Sequence, residues 1–292
     1  MSRVPISSDL FGFPLTEIPL RHAVRAALLE DRAFDDVTTM ATIPASSVAL
    51  AQIAARRGGV VCGGPLAVEA FQQLSPHVRV EVIRADGTAV ERGDPVLRIT
   101  GPARALLQGE RVALNYMMHL SGVATLTQTY VDAIVGTGAR ILDTRKTTPG
   151  LRHVEKYAVR CGGGVNHRMD LASMAMLKDN HLAAVGGDIA QAVAAVRAIV
   201  PEGTLVEVEA DRPAQVREAI AAGADVIMLD NMSLEDMREC VAMIGDAAII
   251  EASGGVSLAT VRGIAETGVH WISVGALTHS APALDLGLDF LA

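Results

Sequence analysis

Two rhythms of apolar residues divide this chain. In the first stretch, Leu20 to Glu30 sets Leu20, Val24, Ala27 and Leu28 on one helical face and predicts a helix. Leu66 to Leu74 predicts another after the turn Gly63-Gly64-Pro65. Val78 to Ile83 alternates valine and isoleucine with polar residues, the period of a half-buried strand, and Ala85-Asp86-Gly87 turns the chain. Pro95 to Ile99 predicts a further strand, and a long helix opens after Gly101-Pro102 and runs to about His119. This part reads as a mixed α+β domain.

Beyond it, short apolar segments end in polar residues or glycine and alternate with amphipathic helices. The segments are ARILD, MAMLK, TLVEVE, DVIMLD, AIIEAS and HWISVG, ending at Asp143, Lys178, Glu209, Asp230, Ser253 and Gly275. Helices are predicted over 189–200, 213–222, 234–244 and 258–266. Alternating βα units of this length imply a parallel sheet, closed or nearly closed. Six strands are legible, so the pattern alone does not establish a complete eight-stranded barrel. Strand ends carry the active site of such a barrel, and the six terminal residues would ring one mouth. One polar residue there can simply mark where a strand leaves the core. Six together, with both signs of charge, point to a site.

A chain of 292 residues suits two domains, and with 3% aromatics the core must be built from Ala, Val, Leu, Ile and Met. The net charge of −8 argues against nucleic acid or an anionic membrane as partner. The charge is uneven, however. Between Asp143 and His181, Arg145, Lys146, Arg152, Lys156, Arg160, Arg168 and Lys178 face only Asp143, Glu155, Asp170 and Asp179. A basic island in an acidic chain suggests a small anionic ligand. Cys62, Cys161 and Cys240 are scattered, with no CxxC pair, which points to a reducing cytoplasm and away from disulfides or zinc. The opening MSRVPISSDLFGFP has no signal-peptide pattern, and no apolar run is long enough to span a bilayer.

Candidate chemistry concentrates in that island. Asp143-Thr144-Arg145-Lys146-Thr147-Thr148-Pro149-Gly150 is a loop rich in donors, either an anion site or a solvated basic loop. Cys161-Gly162-Gly163-Gly164 lets backbone approach a ligand closely or merely flexes, and it matches no Walker or dinucleotide fingerprint. His167 and Arg168 add two more donors. Lys178 can serve as a Schiff-base nucleophile or as a fixed charge for an anion. Glu209 and Asp230, on neighbouring strand ends, suit sugar hydroxyls, a divalent metal or a cationic transition state. Ser253-Gly254-Gly255 and Gly275-Ala276 follow the last two strands, where barrels commonly bind phosphate. Together these residues fit a phosphorylated sugar and a polyanionic partner.

The run ILDTRKTTPGLRHVEKYAVRCGGGVNHRMDL, followed by LKDNH, VEVEAD, IMLDNMS, EASGGV and SVGALTHSAPALD, closely resembles the quinolinate phosphoribosyltransferase family, the carboxylating nicotinate-nucleotide pyrophosphorylases. LLEDRAFDDVTT and ERVALNYMMHLSGVAT extend the resemblance over nearly the whole chain. It implies an α/β protein with an N-terminal α+β sandwich domain over residues 1–119 and a partial, seven-stranded α/β barrel over 120–280. A tail over 281–292 would pack back on the first domain. It implies transfer of phosphoribosyl from phosphoribosyl pyrophosphate to quinolinate with decarboxylation, with Mg2+ and no organic cofactor, by a homodimer or higher oligomer with shared sites. Carried over by resemblance, Arg145, His167, Arg168 and Lys178 bind quinolinate, and Arg111 is supplied by the partner subunit. Lys146 contacts pyrophosphate, while Glu209 and Asp230 stand near the ribose and metal, possible ligands directly or indirectly. Ser253, Gly254, Gly255, Gly275 and His279 form the 5′-phosphate corner. The sequence EVEAD departs slightly from the family's usual EVEVEN and leaves Glu209 in place. The alternatives are a same-fold paralogue acting on another substrate, an aldolase-like barrel using Lys178, or a catalytically dead binding protein.

Overall fold

Short polar residues cap the starts of three helices. The computed structural model describes residues 12–291, so the stretch MSRVPISSDLF that opens the sequence lies outside the described residues. The first elements are α1 (Glu17–Glu30), α2 (Val37–Thr42), β1 (Val48–Ala55), β2 (Gly59–Val60), α3 (Gly64–Leu74), β3 (Arg79–Val82), β4 (Ala89–Val90), β5 (Pro95–Pro102) and α4 (Ala103–Ala133). There follow β6 (Arg140–Leu142), α5 (Arg152–Cys161), β7 (Ala175–Leu177), α6 (Asp179–Ala184), α7 (Ile189–Arg197), β8 (Val206–Ala210), α8 (Pro213–Ala221), β9 (Val226–Asp230) and α9 (Leu234–Ile244). The last are β10 (Ile249–Ser253), α10 (Val261–Ala265), β11 (Trp271–Ser273), α11 (Ala276–His279) and β12 (Leu286–Leu291). Asp36, Asp188 and Ser233 accept backbone N–H groups of α2, α7 and α9, satisfying donors that a helix start leaves open.

Two compact units result: residues to 126 with 148–163 and 281 onward, and 127–147 with 164–280. The first is built on an antiparallel sheet in the order β12-β1-β5-β3, with α1 and α3 beside it. The apolar residues Leu106, Ala113, Met117, Leu120 and Ala124 of α4 are buried at helical spacing, which is why this helix is stable over 31 residues. Gly122 lets the returning chain lie against it, because a Cβ there would strike the carbonyl oxygen of Pro282. Leu284 N–H then reaches the Met118 carbonyl at 2.9 Å, and β12 adds to β1 from Leu50 opposite Leu291 to Ala55 opposite Leu286.

The second unit is a parallel sheet in the order β6-β11-β10-β9-β8-β7. Val165 makes a further parallel bridge to Leu142 on the free side of β6, a seventh position reduced to one residue pair. This is the partial α/β barrel of the sequence reading, on six strands and a stub. Strand register sets the chemistry. Glu209 and Glu251 both lie opposite Met228, and Asp230 lies opposite Ser253. Because side chains alternate along a strand, Glu207, Glu209, Asp230, Glu251 and Ser253 all share one face of the sheet.

The six predicted barrel strands all form. The long helix runs 14 residues past His119, since Leu120, Val123, Ala124 and Tyr130 continue the buried apolar stripe and no proline interrupts it. β1 was not predicted: VALAQIAA is half alanine and lacks the β-branched run that signals a strand, and its pairing with β5 and β12 makes it one. α5, also unpredicted, sits between two glycine-containing loops and is buried along most of its length.

Candidate active site

The second unit gathers its polar residues at the C-terminal ends of its strands. Beyond β6, Asp143 is fully buried and accepts the backbone N–H of His167 at 2.9 Å on Oδ1 and the amide of Asn166 at 2.5 Å on Oδ2. A single buried carboxylate therefore fixes the turn that presents Arg168. The Arg168 guanidinium is braced by the Met174 carbonyl at 3.1 Å and the Met176 sulfur at 3.5 Å. Burial, and then the nearby charge of Arg145, pull its pKa down. Arg145 Nε is itself buried without a hydrogen-bond partner among the described residues. Two guanidinium groups close enough to repel, one with an unsatisfied buried donor, form a donor set suited to an anion.

Lys178, at the N-terminal edge of α6 just past β7, points its Nζ to Glu209 Oε2 at 2.8 Å. The side chains are 42% and 16% exposed, so the pair faces solvent and can exchange partners when a ligand enters. Asp230 accepts the Asn231 side-chain amide at 2.7 Å, and Asn231 itself holds a left-handed φ of 54°. Gly254 follows at φ +90°; a Cβ there would collide with the Asn231 side chain. On the other side, a Cβ on Gly275 would lie 3.0 Å from Lys146 Cδ and 3.2 Å from His279 Nε2, so these three stand together. Thr278 Oγ1 donates to the Lys146 carbonyl at 2.8 Å and ties the two loops. The expected helix N-terminus at this corner is a single four-residue turn, too short for a substantial dipole; the cations Lys146 and His279 are the charges available to a phosphate.

His167 takes a different place from the one expected of a ligand contact. Its side chain is 6% exposed, Nδ1 accepts the Arg168 backbone N–H at 2.7 Å, and Nε2 lies 3.3 Å from Glu207 Oε2 and 3.2 Å from Glu251 Oε2. Both glutamates are fully buried, and Ser273 Oγ donates to Glu251 Oε1 at 2.5 Å. Burial first, and then Glu251, push the Glu207 pKa up to about 7. Burial opposes a charge on His167, while Glu207 and Glu251 favour a proton on the side of the ring that faces them. These three side chains are close enough to bracket a metal ion. The Arg168 N–H decides against it. A ring nitrogen that accepts an N–H keeps its lone pair there, so the ring proton sits on Nε2 and no lone pair faces the carboxylates. Glu207 and Glu251 were not singled out from the sequence. The signal was present, since each lies two residues before a strand-end polar residue, Glu209 or Ser253, and so shares its face.

Arg111 is in the first unit, exposed on α4. In that unit Glu155 is fully buried and accepts from His119 Nε2 at 2.8 Å and Thr148 N–H at 3.0 Å, anchoring the end of the TRKTTPG loop. No helix among the described residues is long and apolar enough to cross a membrane.

A βα barrel with an arginine pair, a lysine–glutamate pair and a second cationic corner at its strand ends is the architecture of an enzyme acting on small anionic substrates. Comparison with known proteins specifies it. Residues 36–121 and 123–289 match the family descriptions Quinolinate phosphoribosyl transferase, N-terminal domain and C-terminal domain. The carboxylating nicotinate-nucleotide pyrophosphorylase of Mycobacterium leprae is 43% identical over 275 residues, covering 92% of this chain and 96% of that protein. A probable enzyme of the same name from Bacillus subtilis is 40% identical, covering 94% of each. The solved structure of the nicotinate-nucleotide pyrophosphorylase from Francisella tularensis superposes with TM-score 0.92 at 36% identity, covering 96% of this chain and 98% of that one. The chain belongs to the quinolinate phosphoribosyltransferase family and is a phosphoribosyltransferase enzyme.

Proposed function

We propose that the protein transfers phosphoribosyl from phosphoribosyl pyrophosphate to quinolinate, releasing pyrophosphate and CO2 and giving nicotinate mononucleotide for de novo NAD synthesis in the cytoplasm. The observation that carries this reading is the buried, unsatisfied Arg145 Nε beside Arg168, a donor set matched to a carboxylate. Lys178 supplies a third cation for the second carboxylate once it turns from Glu209. Lys146 and His279, with the open backbone at Ser253-Gly254-Gly255 and Gly275, take the phosphates.

Departure of pyrophosphate leaves positive character on C1 of the ribose. Glu209 and Asp230, on one face of adjacent strands, bind the sugar hydroxyls and offset that charge. Lys146 stabilises the leaving phosphates. The pyridine nitrogen then attacks C1, the quaternised ring stabilises the electron pair left when the neighbouring carboxylate departs as CO2, and that carbon takes up a proton from water to give the product. The protein's principal task is to hold two mutually repelling anions in line, which explains the cations. No covalent nucleophile is required, and Lys178 paired with a carboxylate at 2.8 Å is a donor and not a free amine. The residues fit Mg2+, which binds through one or two carboxylates while keeping water and substrate phosphates. Asp230, with one oxygen not used by Asn231, and Glu209 would hold it directly or through water, and it would supply charge neutralisation of the leaving pyrophosphate. Arg111, exposed on α4, is assigned to the neighbouring subunit's site in a homodimer.

Selectivity tests the reading. Nicotinate offers one carboxylate and leaves part of the cation cluster unpaired, a defect of about 3–5 kcal/mol for a buried pair stripped of one member. Quinolinate should be turned over and nicotinate poorly; comparable turnover of the two would contradict the assignment.

A further inference from the structure

We propose that Glu207 and Glu251, backed by Ser273, are positioning residues for the anion site: from inside the barrel they hold the His167 ring at Nε2, and the ring at Nδ1 holds the backbone N–H of Arg168. The proposal rests on the reading of Arg168 as a carboxylate anchor. It changes the role of His167 from a contact with substrate to a spacer between the barrel interior and the arginine that makes the contact.

Hydrogen bonds form the two ends of the chain, and between them Nε2 and the carboxylate oxygens make close approaches without hydrogen-bond geometry. Ser273 Oγ lies 2.5 Å from Glu251 Oε1, Glu251 Oε2 lies 3.2 Å from His167 Nε2, and His167 Nδ1 lies 2.7 Å from Arg168 N. Glu207 reaches Nε2 from the neighbouring side at 3.3 Å. Glu207 and Glu251 are fully buried, on β8 and β10, and so sit on rigid elements. Two carboxylates sealed in an apolar interior are costly and persist where they do something that alanine or leucine would not. The Arg168 N–H occupies the Nδ1 lone pair, so the ring proton sits on Nε2 and faces them. Both nitrogens of His167 are thereby committed inside the protein. The turn 166–168 is held from two sides, by Asp143 on the backbone N–H of His167 and by this clamp on the N–H of Arg168.

The clamp is tested in two ways on the full-length enzyme. Nitrogen-15 histidine spectra of the wild type should place His167, assigned by loss of its signal in His167→Gln, in the neutral Nε2–H tautomer at neutral pH. An Nδ1–H tautomer or a doubly protonated ring would overturn the proposal. In steady-state kinetics, Glu251→Ala should raise the KM for quinolinate by about tenfold or more, the equivalent of about 1.4 kcal/mol. The KM for phosphoribosyl pyrophosphate should change by less than about twofold. Glu251→Gln, whose amide oxygen still faces Nε2–H, should largely restore quinolinate binding. Should Glu251→Ala not fold, Ser273→Ala reports the same split at smaller size. An unchanged quinolinate KM in a folded variant, or an equal rise in both KM values, would overturn the proposal. If the wild type fails to use quinolinate at all, the proposed function falls, and the tautomer measurement still decides the clamp.

Discussion

Replacing Asp143 by asparagine probes the turn that presents the arginine anchor. The carboxylate is fully buried, and the donors it accepts include the His167 backbone N–H at 2.9 Å and the Asn166 amide at 2.5 Å. An asparagine keeps the shape but can accept only on its oxygen; its amide nitrogen must then face one of those donors. The variant loses one hydrogen bond to a charged acceptor, about 1.5–3 kcal/mol, and buries two opposed donors at a similar cost per group, about 1–3 kcal/mol. Relaxation of the turn recovers part of this, so a net loss of about 2–4 kcal/mol is expected. For a chain of this size that lowers Tm by roughly 4–8 °C. Because the defect sits at the 166–168 turn, quinolinate affinity should fall while phosphoribosyl pyrophosphate affinity holds. Scanning calorimetry and titration with each substrate separate the effects. Wild-type Tm together with wild-type quinolinate affinity would refute the reasoning.

Other consequences are equally open to measurement. Gly122→Ala forces a Cβ against the Pro282 carbonyl and should destabilise the protein by about 1–3 kcal/mol in chemical denaturation with little effect on substrate affinity, since the clash displaces backbone rather than a flexible side chain. The His167–Glu207–Glu251 group makes stability depend on pH. With Glu207 raised from its usual 4.5 to about 7, the folded protein keeps a proton there that the unfolded chain releases from about pH 4.5 upward. Unfolding free energy should therefore fall as pH rises from about 4.5 to 7, by up to about 1.4 kcal/mol per pH unit for one proton. Glu207→Gln should flatten that slope, and a wild-type slope of opposite sign would contradict the retained proton. Borohydride should trap no adduct on Lys178, and Lys178→Ala should be folded and inactive; a reduced adduct would restore the aldolase-like alternative. Arg111→Ala and Lys178→Ala, each inactive alone, should recover up to about a quarter of wild-type activity when subunits exchange in equal amounts, because one of the two sites in a mixed dimer is intact. No recovery under demonstrated exchange would place Arg111 within its own subunit or in folding.

The barrel was readable because each βα unit writes its own punctuation. An apolar strand such as VIMLD ends in a polar residue, and a capped helix follows at Ser233. The first unit was less readable, because β1 is alanine-rich and takes its strand state from partners far away in sequence, β5 and β12. The same division runs through the site. Lys178, Glu209, Asp230 and Ser253 stood out as strand-end residues. Glu207 and Glu251 lie inside strands, where an acid looks like ordinary alternation until the sheet closes and that face becomes interior. His167 was legible as a donor beside Arg168, but its orientation is set by those two hidden acids and by a backbone N–H, which residue type alone does not encode.

The central claim is the reaction itself, and product analysis tests it most directly. Purified protein is mixed with phosphoribosyl pyrophosphate, Mg2+ and quinolinate carrying carbon-13 in the carboxylate next to the ring nitrogen, and the products are followed by mass spectrometry. The expected result is unlabelled nicotinate mononucleotide with equimolar pyrophosphate and labelled CO2, all dependent on both substrates. No nucleotide, or a nucleotide that retains the label, would contradict it.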